Sequence, residues 1–439
     1  MEKLRVFEAF AGYGSQSIAL RNIGVPYEVV GISEIDVDAI ISYAAIRGVD
    51  LNKDVKMMDK TLNKIENMRV GFDFKVGKSK IPRLSGIKKK QLANANEGIK
   101  NFGDISLIDV NDIPNIDLLT YSFPCTDISV AGKGEGLDKG SGTRSGLLWE
   151  CERIIENKKP KYLLMENVKN LIGKKHKSNF DKWCEYLESL GYTNYYDVLN
   201  AKNFGIPQNR ERVFMISILG EHELYEFPKG YKKYINLKDI LEESVEDKYY
   251  LPKEMQDRFT KFSNDKRDNE NLKATLTTPL NSYNLKSELV FDKCTSVSCY
   301  NLNKLISTLS VRDYKQPKQI IEIPQATKKG YIELEVPGIA DLTYPNSKTR
   351  RGRVQENGKI CPTLMANTQE ICYFEECDTN DFKIRKLTPR ECYRLMGLKN
   401  EDINKICASG ISNAQMYKQA GNSIVINVLE AILKKLLME

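Results

Sequence analysis

The chain has 439 residues, with 66 Lys and Arg against 59 Asp and Glu and a formal net charge of +7. Its 41% hydrophobic and 28% charged residues are those of a globular protein with room for two domains, which excludes a disordered or fibrous chain. No apolar run approaches the roughly 18 residues of a membrane span, the first residues carry no leader-like apolar segment, and ten scattered cysteines predict free thiols in a reducing, cytoplasmic setting.

Residues 4–10 read as a strand, followed by the small-residue turn Ala11-Gly12-Tyr13-Gly14-Ser15-Gln16. Residues 17–22 read as a helix stopped by Gly24 and Pro26, and Tyr27–Ser33 as a second strand closed by Glu34. Glu34 lies 20 residues past Gly14, about where a dinucleotide-type fold places its ribose-binding acid. Gly12 and Gly14 would let the backbone approach a ligand, and Glu34 could accept both ribose hydroxyls. Ser17 stands where a nicotinamide fingerprint has its third glycine, so a plain tight turn is the competing reading.

Residues 51–100 carry 13 Lys and Arg against 5 Asp and Glu, a larger surplus than the whole chain has, and show no clear periodicity. They read as a solvated insertion without regular structure, or as a basic loop near a polyanion, with Lys88, Lys89 and Lys90 attracting phosphates.

Residues 117–123, 161–165, 195–199 and 213–218 read as strands, and Phe180, Trp183, Leu187 and Leu190 mark one helix face ahead of Gly191. This alternation predicts an α/β fold, a doubly wound, mostly parallel sheet with its ligand site at the carboxyl ends of the strands. Gly12, Glu34, Cys125 in Ser-Phe-Pro-Cys and Glu166 in Glu-Asn-Val all fall at such ends. A thiol and a carboxylate on one rim suit attack on an electron-poor heteroaromatic ring. Sulfur adds to a ring carbon while the carboxyl group manages charge on a ring nitrogen. Cytosine fits, because its C6 accepts a thiolate, its N3 needs a proton, and the adduct makes C5 nucleophilic toward an activated methyl group. The Gly-rich stretch 132–146 carries Lys133, Lys139 and Arg144, suited to phosphates. The bland alternatives are a buried structural cysteine and a Glu166 that caps a helix or pairs with Arg212.

Other chemistries find little support. His176 lies in Lys-Lys-His-Lys, read as a solvated run, which leaves no Ser-His-Asp triad. Cys294/Cys299 and Cys372/Cys377 have flanks without turn glycines and read as independent thiols, not zinc ligands.

Past residue 222 the alternation stops. Residues 223–384 are polar, tyrosine-rich and broken by Pro and Gly, with short segments at 305–311, 320–323 and Tyr331–Val336. Clusters at 310–315 and 348–353 offer arginines suited to guanine edges or phosphates, or are generic basic loops. Thr388-Pro389-Arg390-Glu391 is a capping box for a helix that stops at Gly397. The last helix presents Val425, Val428, Leu429, Ile432 and Leu436 to the sheet, with Asn422 and Ser423 at its start.

Taken in order, these motifs resemble those of the DNA (cytosine-5)-methyltransferases. Phe10-Ala11-Gly12-Tyr13-Gly14 resembles the family's S-adenosylmethionine turn, Glu34 its ribose-binding acid, and Asp104, followed by Ile105, the residue that meets the adenine amino group. Pro124-Cys125 resembles the nucleophile motif, Glu166-Asn167-Val168 the cytosine-holding motif and Gln208-Asn209-Arg210-Glu211-Arg212 the Gln-x-Arg-x-Arg motif. Gly421-Asn422-Ser423 resembles the last motif, whose Asn422 and Ser423 would meet the cofactor's carboxylate. The resemblance covers residues 4–220 and 385–439. It departs at Thr126-Asp127, where the family has Gln or Asn after the cysteine, so details of the closing loop are not carried across.

The resemblance implies a Rossmann-like S-adenosylmethionine-dependent methyltransferase. Residues 1–222 would form the catalytic and cofactor-binding domain, 223–384 a smaller target-recognition domain, and 385–439 a return segment completing the first. The substrate would be cytosine flipped out of duplex DNA. Cys125 would attack C6, Glu166 bind N3 and the exocyclic amine, Arg212 contact the carbonyl oxygen and Arg210 support the loop, with no metal. The enzyme would act as a monomer on DNA, away from membranes, with a cognate restriction endonuclease for the same site as a candidate partner. The alternatives are an RNA cytosine-5 methyltransferase of the same fold, a nicotinamide oxidoreductase that leaves Cys125 and Glu166 without a task, and an inactive DNA-binding protein.

Overall fold

The computed structural model describes residues 3–124, 145–230, 235–253, 256, 319–344, 347–366, 370–377 and 382–439. Cys125, Thr126, Asp127, Lys133, Lys139, Arg144, the Cys294/Cys299 pair and the segments 305–311 and 310–315 lie outside the described residues. The chain forms two compact units, one of residues 1–206, 210–235 and 392–439, the other of 207–209 and 236–391.

The first unit opens β1 (Leu4–Ala9), α1 (Ser15–Ile23), β2 (Tyr27–Ser33), α2 (Val37–Ile46), then α3 (Met58–Asn67), a short hairpin of β3 (Phe72–Asp73) and β4 (Lys78–Ser79), and α4 (Gly86–Gly98). It continues β5 (Leu118–Tyr121), α5 (Glu150–Lys158), β6 (Tyr162–Val168), α6 (Lys177–Ser189), β7 (Tyr192–Asn200) and β8 (Glu211–Leu219). Six strands pair in the order β2-β1-β5-β6-β8-β7. The first four run parallel, and β8 is antiparallel to both β6 and β7. Its reversal follows from chain length. Only residues 201–210 join β7 to β8, too few for the dozen or so that a parallel crossover needs.

Phe7, Leu119, Leu163 and Met215 of the sheet share a core with Ile154 and Ile155 of α5 and with Phe180, Trp183 and Leu187 of α6. The expected α6 face is thus the one that is buried, and Trp183 Nε1 donates to Tyr121 Oη at 3.1 Å. His176, expected in a solvated run, is buried at the start of that helix.

The basic stretch 51–100 is regular structure, which corrects the expectation. α4 buries Leu92, Ala93, Asn94, Ala95 and Asn96. Its buried face includes asparagines whose polar atoms are satisfied internally, as when Asn94 Nδ2 donates to the Leu51 and Lys53 carbonyls, and that hides the apolar period. Lys88 pairs with Asp38, and Lys90 with Asp54 at 2.7 Å, so two of the three lysines expected to meet phosphate already have carboxylate partners.

In the second unit, residues 320–323 and Tyr331–Val336 fall in an antiparallel pair, β9 (Gln319–Pro324) and β10 (Tyr331–Val336). β11 (Gly338–Asp341), β12 (Ile371–Glu376) and β13 (Phe382–Lys386) form a three-stranded antiparallel sheet. A short helix, α7 (Leu237–Ile240), precedes them. Arg385 and Glu391 form an ion pair at 2.8 Å, 2% and 0% exposed. The basic cluster 348–353 is largely consumed by the fold. Arg353 is buried and donates to the carbonyls of Asp341, Thr343 and Tyr344, and Arg350 pairs with Asp341. Neither guanidinium projects as a base reader.

The break between units falls at 236 and 392, where sequence composition put it at 223 and 385. Tyr225 is buried against the last helix of the first unit, its hydroxyl 3.4 Å from the Ile432 carbonyl, and β13 belongs to the second unit's sheet. The Thr388 box is present, with Glu391 N donating to Thr388 Oγ1 at 3.1 Å and Thr388 N to Glu391 Oε2 at 2.8 Å, and it opens α8 (Pro389–Arg394). Then come α9 (Asn400–Ala408), α10 (Asn413–Asn422) and α11 (Ile426–Leu437). α11 packs chiefly on α1, and Asn22 Nδ2 donates to Glu430 Oε1 at 2.6 Å. Contact is thus helix on helix, where the sequence suggested helix on sheet.

Candidate functional site

The parallel strands β1, β2, β5 and β6 end on one rim, and the candidate residues follow those ends. At β1, the chain turns through Phe10, Gly12 and Gly14 at φ of 57°, 56° and 88°. The two glycines do different work. A Cβ on Gly14 would lie 2.5 Å from the Tyr43 ring, so this residue lets the N-cap of α1 sit against α2. A Cβ on Gly12 would meet nothing within 4 Å. The open space in the turn therefore lies at Gly12 and not at Gly14.

Glu34, after β2, is held by three amides. Gly12 N donates to Oε2, and Ile35 N and Asp36 N to Oε1, each at 2.8 Å. A carboxylate has about four acceptor positions, so about one remains, on Oε2, beside open space at Gly12. That suits one hydroxyl of a ribose, where the sequence suggested two. Burial and the neighbouring Asp36 push the Glu34 carboxyl above its ordinary range, against these amides. An acid beside a glycine whose missing side chain leaves free space is a donor set that fits the ribose end of S-adenosylmethionine.

The other cofactor candidates are placed less simply. Ala11 is buried and donates its N–H to the Ser33 carbonyl at 3.2 Å, and Phe10 is half-buried against the core. Tyr13 is buried with its hydroxyl 2.6 Å from Ser423 Oγ, and burial raises that phenol to about 12. Asp104 accepts from Ser106 N at 3.0 Å and Ser106 Oγ at 2.8 Å, and Arg69 Nη1 lies 3.4 Å from its other oxygen. Ile105 puts its side chain in the core, and its carbonyl accepts from Arg153 at 3.0 Å. Asn422 and Ser423 sit at the end of α10, four and three residues ahead of the first residue of α11 and not at its start, so the free amides expected with them belong to a different helix end.

Glu166 lies in β6 one residue past Met165, which pairs with Tyr121 at the end of β5. In the β6–β8 ladder Val168 faces Arg212, which makes Glu166 and Arg212 diagonal neighbours on one face. Arg212 Nε stands 3.2 Å from Glu166 Oε1. Burial pushes the Glu166 carboxyl above its ordinary range, and Arg212 and Arg210 pull the other way. The adjacent Asn167, buried, donates from Nδ2 to the Phe123 carbonyl at 3.0 Å. Phe123-Pro124 leads to Cys125, so β6 holds the approach to the thiol as well as the carboxylate. Sequence reasoning gave Asn167 no task, although its place beside Glu166 was a signal.

The Gln-x-Arg-x-Arg motif divides. Gln208 Oε1 accepts from Leu364 N at 3.1 Å, and Asn209 N donates to the Cys361 carbonyl at 2.8 Å, both within the second unit. Arg210, buried in the first, donates from Nη2 to the carbonyls of Gly421 at 3.0 Å and Ser423 at 2.8 Å.

Comparison with known proteins gives a consistent result. Residues 83–438 match the family model described as C-5 cytosine-specific DNA methylase. The chain is 40% identical over 439 residues to the type II methyltransferase M2.ScrFI of Lactococcus lactis subsp. cremoris, covering 99% of each. It is 42% identical over 286 residues to the orphan methyltransferase M.SssI of Spiroplasma monobiae, covering 60% of this chain and 72% of that one. Among solved structures, the S. pombe Dnmt2 methyltransferase aligns with a TM-score of 0.54 at 15% identity, covering 99% of this chain and 98% of its own, a likeness of fold alone. No helix among the described residues is long and apolar enough to cross a membrane.

Proposed function

The chain belongs to the C-5 cytosine-specific DNA methylases and is a DNA (cytosine-5)-methyltransferase, and from that premise we propose the following route. Cytosine in a specific duplex sequence is flipped out of the stack, at a cost of a few kcal/mol, and seated against Glu166. The Cys125 thiolate adds to C6, forming a C–S bond as the C5–C6 double bond opens toward C5. Glu166 supplies the proton or hydrogen bond that N3 needs as electron density arrives, and Arg212, held by Glu166, meets the base's carbonyl oxygen. S-adenosylmethionine, bound along Gly12 and Glu34, would supply an electrophilic methyl group for C5, its S–CH3 bond breaking to leave S-adenosylhomocysteine. The N3 proton returns to Glu166, and loss of the C5 proton to water lets the C–S pair return to sulfur, restoring the double bond and the Cys125 thiolate.

The observation that carries this reading is Glu166, a buried carboxyl raised by desolvation, pinned by Arg212 and joined through Asn167 to the segment leading into Cys125. An acid whose burial raises its carboxyl, against the pull of Arg212 and Arg210, is suited to share a proton with a ring nitrogen. The second unit would read the target sequence, because no motif of the chemistry falls on 236–391. Relatives named as type II and as orphan methyltransferases are both at hand, so a partner endonuclease stays open to direct assay. The test is duplex DNA carrying 5-fluorocytosine, whose fluorine cannot leave as a proton. The intact chain should form a covalent adduct at Cys125, and Cys125→Ala should form none and transfer no methyl group while still binding cofactor. Methylation by Cys125→Ala, or an adduct on another cysteine, rules the mechanism out.

A further inference from the structure

The resemblance sends Arg212 to the base's carbonyl oxygen and leaves Arg210 a general support of the loop. Their side chains are committed differently. Arg212 turns to Glu166. Arg210 caps the end of α10, with two bonds from one guanidinium nitrogen to the Gly421 and Ser423 carbonyls. A cation at a helix carboxyl end is favoured by the helix dipole, and a charged donor makes the stronger kind of hydrogen bond. Ser423, so held, places its hydroxyl 2.6 Å from that of Tyr13, whose ring packs edge-on to Tyr393 at 5.6 Å. Tyr13 is the residue after Gly12, whose N–H fixes Glu34.

We propose that Arg210 is a positioning residue for the cofactor turn. It fixes the 421–423 turn, Ser423 fixes Tyr13, and Tyr13 holds the Gly12 amide where it orients Glu34. The two arginines of one motif then serve two ligands, Arg212 the base and Arg210 the methyl donor. Ser423 contributes through its bond to Tyr13. This deepens the reading of the Gly12 turn as the S-adenosylmethionine site and rests on it.

The experiment measures S-adenosylhomocysteine binding to the full chain, without DNA, by titration calorimetry. The variants are Arg210→Lys, Arg212→Lys, Tyr13→Phe, Ser423→Ala and the Tyr13→Phe/Ser423→Ala pair, each checked by thermal unfolding. Arg210→Lys should weaken binding about tenfold, and Tyr13→Phe and Ser423→Ala each about three- to tenfold. The double variant should be no weaker than its weaker single, because both remove the same bond. Arg212→Lys should stay within about twofold. In turnover, the loss in Arg210→Lys should appear in the KM for S-adenosylmethionine ahead of kcat. Tyr13→Phe removes one hydroxyl and keeps the ring, so it decides the matter if Arg210→Lys does not fold. Cofactor affinity unchanged in Tyr13→Phe and in any folded Arg210→Lys, or an equal loss in Arg212→Lys, overturns the inference alone. An intact chain that binds no S-adenosylhomocysteine overturns the cofactor reading together with it.

Discussion

Replacing Glu166 with Gln separates chemistry from packing at one position. The side chain is buried, and its Oε1 faces Arg212 Nε at 3.2 Å. Glutamine keeps an acceptor oxygen for that guanidinium but carries no charge and no acidic proton. The lost part of the ion pair costs on the order of 1–2 kcal/mol, and relief from burying a charge offsets much of it. Net stability should therefore move by about 1 kcal/mol or less. The proton on N3 is worth far more, on the order of 10² to 10⁴ in rate, or roughly 3–5 kcal/mol of barrier. The pH dependence has a definite sign. Burial raises this carboxyl, so the folded protein holds its proton more tightly than the unfolded chain does. That contribution to stability is complete below the unfolded carboxyl value and is lost as pH rises through the raised one, so Glu166→Gln should gain on the intact chain as pH climbs through that window. The rate profile should also lose its high-pH limb in the variant, while the limb set by thiolate formation stays. The assays are single-turnover methylation across pH and urea unfolding at each pH. Turnover within about threefold of the intact chain, with the same limb, would refute the assignment of Glu166 as proton donor.

Two glycines of one turn should fail in different ways. Gly14→Ala meets the Tyr43 ring at 2.5 Å and should lose roughly 2 kcal/mol or more of stability in urea. Gly12→Ala should cost about 1 kcal/mol of stability yet weaken cofactor binding more than about tenfold, because its Cβ enters the ligand's space. In the second unit, Arg385→Met leaves Glu391 buried without its cation and should cost about 3–5 kcal/mol by denaturant melt. Exchanging residues 207–209 and 236–391 for those of a relative with another target should move the methylated sequence to the donor's, read by sequencing for 5-methylcytosine. A functional exchange that kept the original target would assign sequence choice to the first unit.

The strands and the rim were legible because parallel strands bury both faces and so write continuous apolar runs, as in 118–121 and 162–165. The capping box at Thr388 was legible because its signal is local, four residues long. The helices in 51–100 were not, since Asn94 and Asn96 are buried polar residues satisfied by Leu51, Lys53 and Asn101 in other segments, which no periodicity reports. Arg353 was misread for the same reason: its three carbonyl partners are visible only once the loop closes. The Glu166–Arg212 pair was considered from sequence as a rival to catalysis. In the fold the pair is present, with Arg212 Nε 3.2 Å from Glu166 Oε1, and it keeps the buried acid and the cation in register.

The bond between Tyr13 and Ser423 joins residues 410 apart in the chain. During synthesis at roughly 5–20 residues per second, Tyr13 emerges about 20–80 s before its partner exists. For that interval the glycine turn and the first strand can be present while the clamp over them is missing. The nascent chain then holds the turn without the hydroxyl that Tyr13 bonds. Fastening of the turn is therefore coupled to completion of the polypeptide, and a message cut short before codon 423 yields a chain whose glycine turn lacks this tie.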